Sequence, residues 1–381
     1  MANSGDRARS WKATFILFGT IVGAGIFGLP ALIQKSGWLI GVFWMLALAG
    51  VVALTHLLYA EVVMVTPGRH RLVGYVRLYL GKGLSGIEAV NSTLNLYGGS
   101  LAYLILGGLF AAAILTPVAA VSPLYGSLAL FLFGLAAAWG GAAFLSRFDF
   151  AMTIGELTSF LLLAGVALTA FGPGNLAHAD FSQAFLPYGV VLFAYGGLTA
   201  VPEVADIIGL GKPRLVRRSV IIGTLMAAGL TIIFATAVVG ALGPDVTPES
   251  VSGLARKFGG VLPVLGGVTG FLSILTSYAV FGANLKSQFQ FDLKLKPLSA
   301  LFAAVVLPFL LYLAGIRSFG RILEFVGAVL VGLEGIFVAL VYLKAKAKHP
   351  GRMLDVPRPV VYLLIAAYLA GMLYEIFRQG A

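Results

Sequence analysis

Long apolar runs recur from one end of this chain to the other, and they constrain its fold more than any other feature. The first run is Ala13–Ile33 and the last is Val360–Ile376, and each run is near or above the roughly 20 residues that span a bilayer core. Only 11% of the 381 residues are charged, compared with about 25% in soluble proteins. A chain this apolar could not cover its surface in water. The sequence therefore predicts an all-α polytopic membrane protein.

Proline, glycine and charged residues separate the runs into eleven predicted transmembrane helices. Their ranges are 13–33, 38–65, 86–116, 124–145, 151–172, 184–209, 214–242, 258–290, 297–315, 319–345 and 357–378. The loops between them are too short to form a soluble domain, so we expect one transmembrane domain over 1–381. The polar segment Met1–Arg9 lacks the pattern of a signal peptide and is expected to remain as a cytoplasmic tail.

Basic residues divide unevenly between the two sides that this helix count defines. With the N-terminus in the cytoplasm, 20 of the 26 Lys and Arg residues lie on the cytoplasmic side and six lie outside. This asymmetry follows the positive-inside rule, so we expect a multi-pass protein of the cell membrane with a cytoplasmic N-terminus and an external C-terminus. The net charge of +11 then fits basic loops beside an anionic leaflet, and nucleic acid is not an expected partner. The absence of cysteine excludes disulfides, thiolate metal sites and cysteine nucleophiles.

The first predicted helix contains an unusual glycine-rich segment, Gly19–Pro30, with four glycines before its proline. The part Gly23–Gly28 formally matches a dinucleotide-binding motif, but that motif needs a preceding strand and is rejected here. Two interpretations remain open. The glycines form a close-packing face for a neighbouring helix, or the helix unwinds at Gly23–Gly25, where its free backbone groups line a binding cavity.

The sixth predicted helix contains a matching segment, Phe193–Glu203. Gly197 lies five residues before Pro202, as Gly25 lies five residues before Pro30. The two segments are five helices apart, so they cross the membrane in opposite directions. Paired interruptions of this kind point to an inverted-repeat transporter. We therefore predict a five-plus-five repeat, over 13–172 and 184–345, with 357–378 as a peripheral eleventh helix.

Several of these motifs resemble a known group of transporters. Gly19–Pro30 followed by Ser36-Gly37-Trp38 resembles the first helix of the amino acid/polyamine/organocation superfamily, and is closest to its amino acid/auxin permease and aromatic amino acid permease branches. Weaker similarities are found in Pro202-Glu203-Val204, in Leu275-Thr276-Ser277, and in Tyr103 with Gly107-Gly108. The resemblance covers helices one to ten. It implies a LeuT-like fold, in which helices 1 and 6 are discontinuous.

The resemblance also implies a substrate site and a cation site. In the substrate site, amides of Gly23, Ala24 and Gly25 would hold a carboxylate, carbonyls near Ile21, Phe193 and Ala194 would hold an ammonium group, and the pocket would be completed by Tyr97, Tyr103, Phe193, Tyr195 and Gly196. The cation site would consist of Gly19, Val22, Ser273, Thr276 and Ser277. A bound sodium ion is thus an option, while Thr20 departs from the sodium-coupled pattern and keeps proton coupling open. The alternative for the three hydroxyl residues is hydrogen bonding within or between helices.

Ionisable residues inside the predicted helices are candidates for ion coupling, because burying them is costly. Glu334, near the middle of helix ten, is the best candidate for a proton-carrying carboxyl, and a hydrogen-bonded neutral acid is the alternative. Glu203 is a candidate for gating or coupling just beyond the sixth-helix break. Glu61 is expected to reach water at the end of helix two, and His56 is expected to be a packing residue.

The sequence as a whole predicts a secondary transporter that couples uptake of a neutral amino acid, aromatic side chains included, to sodium or proton entry. Its expected partners are the amino acid, the coupling cation and the lipid bilayer, and no cofactor is expected. A carrier of polyamines, organic cations or inorganic ions on the same scaffold is the main alternative. An intramembrane enzyme would need a nucleophile–base pair, and a channel would need a filter motif; the sequence contains neither.

Overall fold

The computed structural model describes residues 4–68, 70–115, 119, 121–140, 149–260, 262–291 and 294–380. This part of the chain is almost entirely helical. Its α-helices are α1 Ser4–Ile21, α2 Ala24–Ser36, α3 Trp38–Val65, α4 Leu72–Leu80, α5 Lys82–Leu115, α6 Pro123–Gly140, α7 Asp149–Leu168, α8 Leu186–Ala194, α9 Val201–Ile208, α10 Pro213–Leu242, α11 Val251–Phe258, α12 Leu262–Phe291, α13 Pro297–Leu313, α14 Phe319–Phe325, α15 Gly332–Lys348 and α16 Arg358–Gly380.

The number of membrane-crossing helices depends on how the short and broken ones are counted. Among the described residues, eight helical spans are long and apolar enough to cross a bilayer, and the bent pair of α1 and α2 makes a ninth. The shorter apolar helices at Thr153–Leu168 and Pro297–Leu313 coincide with two of the eleven predicted ranges. The predicted set of eleven is thus matched only when these two shorter helices are included.

Two predicted loops and the predicted tail contain further helix. The loop near 66–85 contains α4, whose buried residues are Leu72, Val73, Tyr75 and Val76. That spacing forms the apolar stripe of a short amphipathic helix. With nine residues, α4 is too short to be detected as a membrane-spanning run. The loop near 243–257 contains α11, and α1 begins at Ser4, inside the predicted tail.

The first span is broken, as the glycine-rich segment predicted. α1 ends at Ile21, Gly23 is extended (φ −156°, ψ −152°), and α2 starts at Ala24. The axes of the two helices differ by 53°. The glycines here also serve close packing, because a methyl group built on Gly25 would lie 2.6 Å from the Cα atom of Ala194. Unwinding and close packing, the two alternatives left open by the sequence, therefore occur together.

The sixth span is broken at the matching place. α8 ends at Ala194, the chain leaves the α-helix at Tyr195–Gly197, and a 3₁₀ turn at Leu198–Ala200 leads into α9. Pro202 lies in the first turn of α9, where its missing N–H costs no helical hydrogen bond. α2 packs against α8, and α1 packs against α9. The two breaks consequently face each other in the middle of the bundle.

The tenth span contains a distortion that the sequence did not predict. Between α14 and α15 the chain forms a π-helical segment at Val326–Val331. Gly327 in this segment has no space for a side chain, because a methyl group there would lie 1.7 Å from the carbonyl oxygen of Gly189 in α8. π-Bulges are frequent at functional sites, and this one lies directly behind the broken sixth span.

Gly37 joins α2 to α3 in a conformation that requires glycine. Its φ is +104°, and a methyl group on it would lie 2.4 Å from the carbonyl oxygen of His178. The segment before α8 is attached here, since the amide of Asp180 donates to the carbonyl of Ser36 at 2.9 Å. The Ser36-Gly37-Trp38 motif thus fixes one end of the first span to the loop before the sixth.

Candidate functional site

A cavity lies where the two broken spans face each other. It contains about 700 Å³ of empty space, including its open mouth. Its walls come from both breaks and from α3, α5, α12, the tenth span and α16. The lining residues are Thr20, Ile21, Gly23, Ala24, Gly25, Val52, Thr55, His56, Asn95, Leu96, Tyr103, Phe193, Gly196, Gly197, Leu198, Thr199, Phe281, Val331, Glu334 and Tyr368.

Helix ends from both broken spans meet in this cavity. α2 begins at Ala24 with Gly23 as its N-cap, and no side chain caps that end. The first amides of a helix have no acceptor within the helix, and together they attract negative charge. Conversely, α1 ends at Ile21 and α8 ends at Ala194, and the last carbonyls of a helix attract positive charge. One cavity therefore offers donors for a carboxylate beside acceptors for an ammonium group.

Tyr103 and Ser277 approach the first break from the other side. A methyl group built on Gly23 would lie 3.0 Å from the Tyr103 hydroxyl oxygen and 3.3 Å from Ser277 Oγ. The Tyr103 ring packs edge-on against Phe281, which also lines the cavity. Because glycine leaves this gap open, both hydroxyl groups can reach whatever occupies the break.

The structure brings together most of the predicted substrate residues but not all. Ile21, Gly23, Ala24, Gly25, Tyr103, Phe193 and Gly196 line the cavity. Ala194 lies behind it, against Gly25. Tyr195 is fully buried outside the lining. Tyr97 faces away, because its hydroxyl donates to the Ala303 carbonyl of α13 at 2.8 Å.

The predicted cation residues lie at the junction of α1, α7 and α12. A methyl group on Gly19 would lie 2.6 Å from Thr153 Oγ1 of α7, and Ser273 of α12 donates a hydrogen bond to Glu156 of α7. Val22 is buried next to Gly23. The side chain of Thr276 lies outside the described residues. The junction therefore contains a carboxylate, Glu156, that the sequence analysis did not include.

The acids proposed from the sequence have different environments. Glu334 lines the cavity, and the amide of Asn95 donates to its Oε1 at 2.9 Å. Glu203 lies just beyond the sixth-span break, in the first turn of α9, and is exposed. Glu61 was expected to reach water, but it is buried (1% exposed) and paired with Arg217. Arg217 comes from α10, far along the sequence, which is why the pairing could not be inferred.

His56 is buried and hydrogen-bonded, as a packing residue would be, and it also borders the cavity. Its Nδ1 lies 2.9 Å from the hydroxyl oxygen of Thr224 on α10, and its ring also lines the cavity. The ring stands beside the second break, since a methyl group on Gly197 would lie 3.2 Å from His56 Cε1.

Several cavity residues were missed by reasoning from the sequence. Asn95 and Phe281 were not singled out, and Tyr368 was assigned to a peripheral helix, although it lines the cavity and its hydroxyl lies 2.8 Å from that of Thr55. A usable signal existed for two further polar residues, which lie outside the cavity lining. Glu88 and Glu156 are acids inside apolar runs, a rare combination that marks functional candidates.

This fold and this cavity define a class of protein. A multi-pass helical bundle with two broken helices around a central cavity is a transporter of the LeuT-like fold and not an enzyme. The chain belongs to the tryptophan/tyrosine permease family, whose model matches residues 7–375.

Solved transporters with low sequence identity share this fold. MhsT in complex with L-phenylalanine aligns with a TM-score of 0.67 at 15% identity, over 94% of this chain and 98% of that one. An Eremococcus coleocola manganese transporter aligns with a TM-score of 0.73 at 12% identity, over 98% and 86%. Mhp1, a nucleobase-cation-symport-1 family transporter, gives 0.63 at 13%, over 96% and 91%. No curated protein sequence matches this chain significantly.

Proposed function

We propose that this protein carries a neutral aromatic amino acid across the cell membrane together with a sodium ion or a proton, by alternating access. The observation that carries the proposal is the pair of helix ends in one cavity. The uncapped start of α2 offers amides to a carboxylate, and the ends of α1 and α8 offer carbonyls to an ammonium group. Backbone alone can thus hold both charged ends common to all α-amino acids.

The remaining walls favour an aromatic side chain. Tyr103, Phe193, Phe281 and Tyr368 line the cavity, and aromatic rings attract one another beyond simple burial. Family membership and the L-phenylalanine bound by MhsT support the same choice. The N-terminus is assigned to the cytoplasm and the C-terminus to the outside, on the strength of the basic residues. α1 and α9 then lie on the cytoplasmic side of the two breaks.

A cationic substrate is the second candidate function, because the Glu334 carboxylate belongs to the cavity wall. A polyamine or organic cation would pair with that acid. An inorganic metal ion has less support, since the described residues contain no group of three or more His, Cys, Asp or Glu side chains placed to hold one.

Uptake into proteoliposomes tests the proposal directly. The purified protein is reconstituted, and labelled tryptophan, tyrosine and phenylalanine are supplied under a sodium gradient and, separately, under a proton gradient. We expect accumulation of at least one of them, with putrescine and Mn²⁺ as comparison substrates. Failure to accumulate or exchange any aromatic amino acid would rule the proposal out. Accumulation of putrescine alone would support the second candidate.

A further inference from the structure

Two buried acids lie beside the cavity without a basic partner. Glu88 in α5 is 0% exposed and Glu334 in α15 is 9% exposed. The ion pairs among the described residues join other acids: Asp6 to Lys212, Glu61 to Arg217, Asp355 to Lys346, and Glu324 and Glu375 to Arg378. Neither Glu88 nor Glu334 takes part in any of them. A lone carboxylate in such a place is costly, and two close together repel each other as well.

Each of the two acids has an asparagine of α5 as its neighbour. Glu88, Asn91 and Asn95 lie at positions i, i+3 and i+7 of α5, and therefore share one helix face. The Asn95 amide donates to Glu334 at 2.9 Å, and the Asn91 amide lies 3.4 Å from Glu88 Oε2. The Asn91 amide also donates to the carbonyl of Leu330, at 3.1 Å, in the π-helical segment. The four side chains form two hydrogen-bonded pairs, Asn95 with Glu334 at the cavity and Asn91 with Glu88 nearer the start of α5.

The pair of Glu88 and Asn91 has too few donor hydrogens. Glu88 Oε1 and Asn91 Oδ1 are both buried, and neither has a hydrogen-bond partner among the described residues. Both atoms are acceptors when Glu88 is ionised, so this pair lacks a donor hydrogen, which protonation of Glu88 would supply. A proton on Glu88 Oε1 turns one unsatisfied acceptor into a donor and removes one buried charge. Two oxygens suffice for a shared proton, whereas a metal cation such as sodium needs several more oxygen ligands.

Among the described residues, no basic group on a neighbouring helix forms an ion pair with Glu88 or Glu334. Tyr59 of α3 is buried, and Arg71 lies directly before α4. Arg71 directs its guanidinium to the carbonyl oxygen of Thr199 at 3.3 Å instead. His56 lines the cavity, and Tyr368 bonds with a threonine hydroxyl.

α12 contributes two polar groups, and both are already used. Lys286 donates to the Ala138 carbonyl of α6 at 2.6 Å, and not to either acid. The Gln288 amide donates to the Ala89 carbonyl and to Thr93 Oγ1. Tyr75 of α4 is buried, with its ring edge-on to that of Tyr59. Protonation is therefore the remaining way to neutralise the two acids.

We propose that Glu88 and Glu334 together bind the proton that this transporter couples to its substrate, with Glu334 exchanging it with the cavity and Glu88 passing it toward the cytoplasmic end of α5. This inference rests on the proposed function and names its coupling ion. The proton enters from water on one side, resides on the carboxyl pair, and leaves to water on the other side. No covalent bond of the substrate changes.

Reconstituted Glu88→Gln and Glu334→Gln variants test the pair, because glutamine resembles a permanently protonated glutamate. We expect the wild type to concentrate labelled tryptophan under an inward proton gradient and both variants to lose that concentration. Glu88→Gln, whose side chain is outside the cavity lining, should keep tryptophan exchange at equal pH. The matched control is Glu324→Gln, a buried acid of the same span that is paired with Arg378, and it should still concentrate tryptophan. Proton-driven concentration by both variants, or a wild type driven by sodium alone, would overturn the inference.

A second measurement separates failure of this inference from failure of the proposed function. Infrared difference spectra of the purified protein, taken across a pH titration, report the C=O stretch of protonated carboxyl groups without any transport. We expect a carboxyl band that is lost or shifted in Glu88→Gln and in Glu334→Gln but kept in Glu324→Gln. A band unchanged by both substitutions would refute the carboxyl pair. A wild type that neither accumulates nor exchanges amino acids, with the band assigned to these residues, would refute only the amino acid substrate.

Discussion

Gly25→Ala should damage the substrate site through one added methyl group. That methyl would lie 2.6 Å from Ala194 Cα, 2.8 Å from Ala194 Cβ and 2.9 Å from its backbone nitrogen. Ordinary carbon contacts are about 3.5–4.0 Å, so α2 and the end of α8 must separate by about 1 Å. The atoms in the way belong mainly to backbone, which cannot rotate aside. The two helix ends that would hold the opposite ends of an amino acid are therefore forced apart.

The size of the effect follows from overpacking in a closely packed interior, which costs about 1–3 kcal/mol. If that cost falls on the substrate-bound state, the dissociation constant of tryptophan rises between about 5-fold and 150-fold. The helical preference of alanine over glycine, about 1 kcal/mol, acts in the opposite direction. Gly50→Ala isolates this second term, because a methyl on Gly50 in α3 meets nothing within 4 Å.

The assay is equilibrium binding of labelled tryptophan to purified protein, with thermal unfolding in detergent as a check on folding. We expect Gly50→Ala to bind as the wild type does and Gly25→Ala to bind more weakly at comparable folded fraction. Wild-type affinity in Gly25→Ala would show that the facing helix ends do not form the site. A Gly25→Ala protein that does not fold would still agree with the close contact, and Tyr103 then gives an independent measure of the site.

Three further substitutions test separate parts of the structure. Tyr103→Phe removes a hydroxyl beside the first break and should weaken tryptophan binding by about 0.5–1.5 kcal/mol, as measured by equilibrium binding. Arg217→Ala leaves the Glu61 carboxylate buried without its partner. Because Arg217 is itself 27% exposed, we expect the free energy of unfolding to fall by about 3 kcal/mol, the lower end of the range for broken buried pairs. Thermal unfolding measures this loss. Gly327→Ala would place a methyl 1.7 Å from the Gly189 carbonyl oxygen, so we expect little folded protein by size-exclusion chromatography.

Each of these has a control on the same or a neighbouring element. Tyr97→Phe also removes a tyrosine hydroxyl from α5, but that hydroxyl bonds to Ala303 outside the cavity, so tryptophan affinity should not change. Arg218→Ala removes a neighbouring basic group that has no ion pair with Glu61. Gly229→Ala adds a methyl in open space, and folded yield should be retained. Equal effects in a test variant and its control would contradict the corresponding contact.

The broken first and sixth spans could be predicted because lipid restricts what a chain can do. Unpaired backbone groups are excluded from hydrocarbon, so interior glycines beside a proline stand out in an apolar run. Gly23–Gly25 and Tyr195–Gly197 met that condition, and both helices are interrupted there. The interruption of each helix depends on local sequence, so about a dozen consecutive residues were enough to predict it.

The side-chain environments could not be predicted in the same way. The orientation of Tyr97 depends on α13, and the burial of Glu61 depends on Arg217, 156 positions away. Glu203 is exposed because α9 buries its opposite side, Val201, Val204, Ala205 and Ile208, against neighbouring helices. The π-helical segment also has no local signal, since Val326–Val331 resembles any apolar helix. Each of these facts is decided by a neighbour that is distant in sequence.

The close glycine contacts link the substrate cavity to the acid pair through one short helix. The end of α8 touches Gly25 at the first break, and its middle touches Gly327, where neither glycine could carry a methyl group. Leu330, in the same π-helical segment as Gly327, accepts the hydrogen bond from Asn91 beside Glu88. Rigid elements in such close contact move together or separate, because packed interiors do not deform smoothly. A shift of α2 when the cavity fills would therefore be transmitted through α8 to the segment that positions Asn91, and this is the connection that coupling of substrate to proton requires.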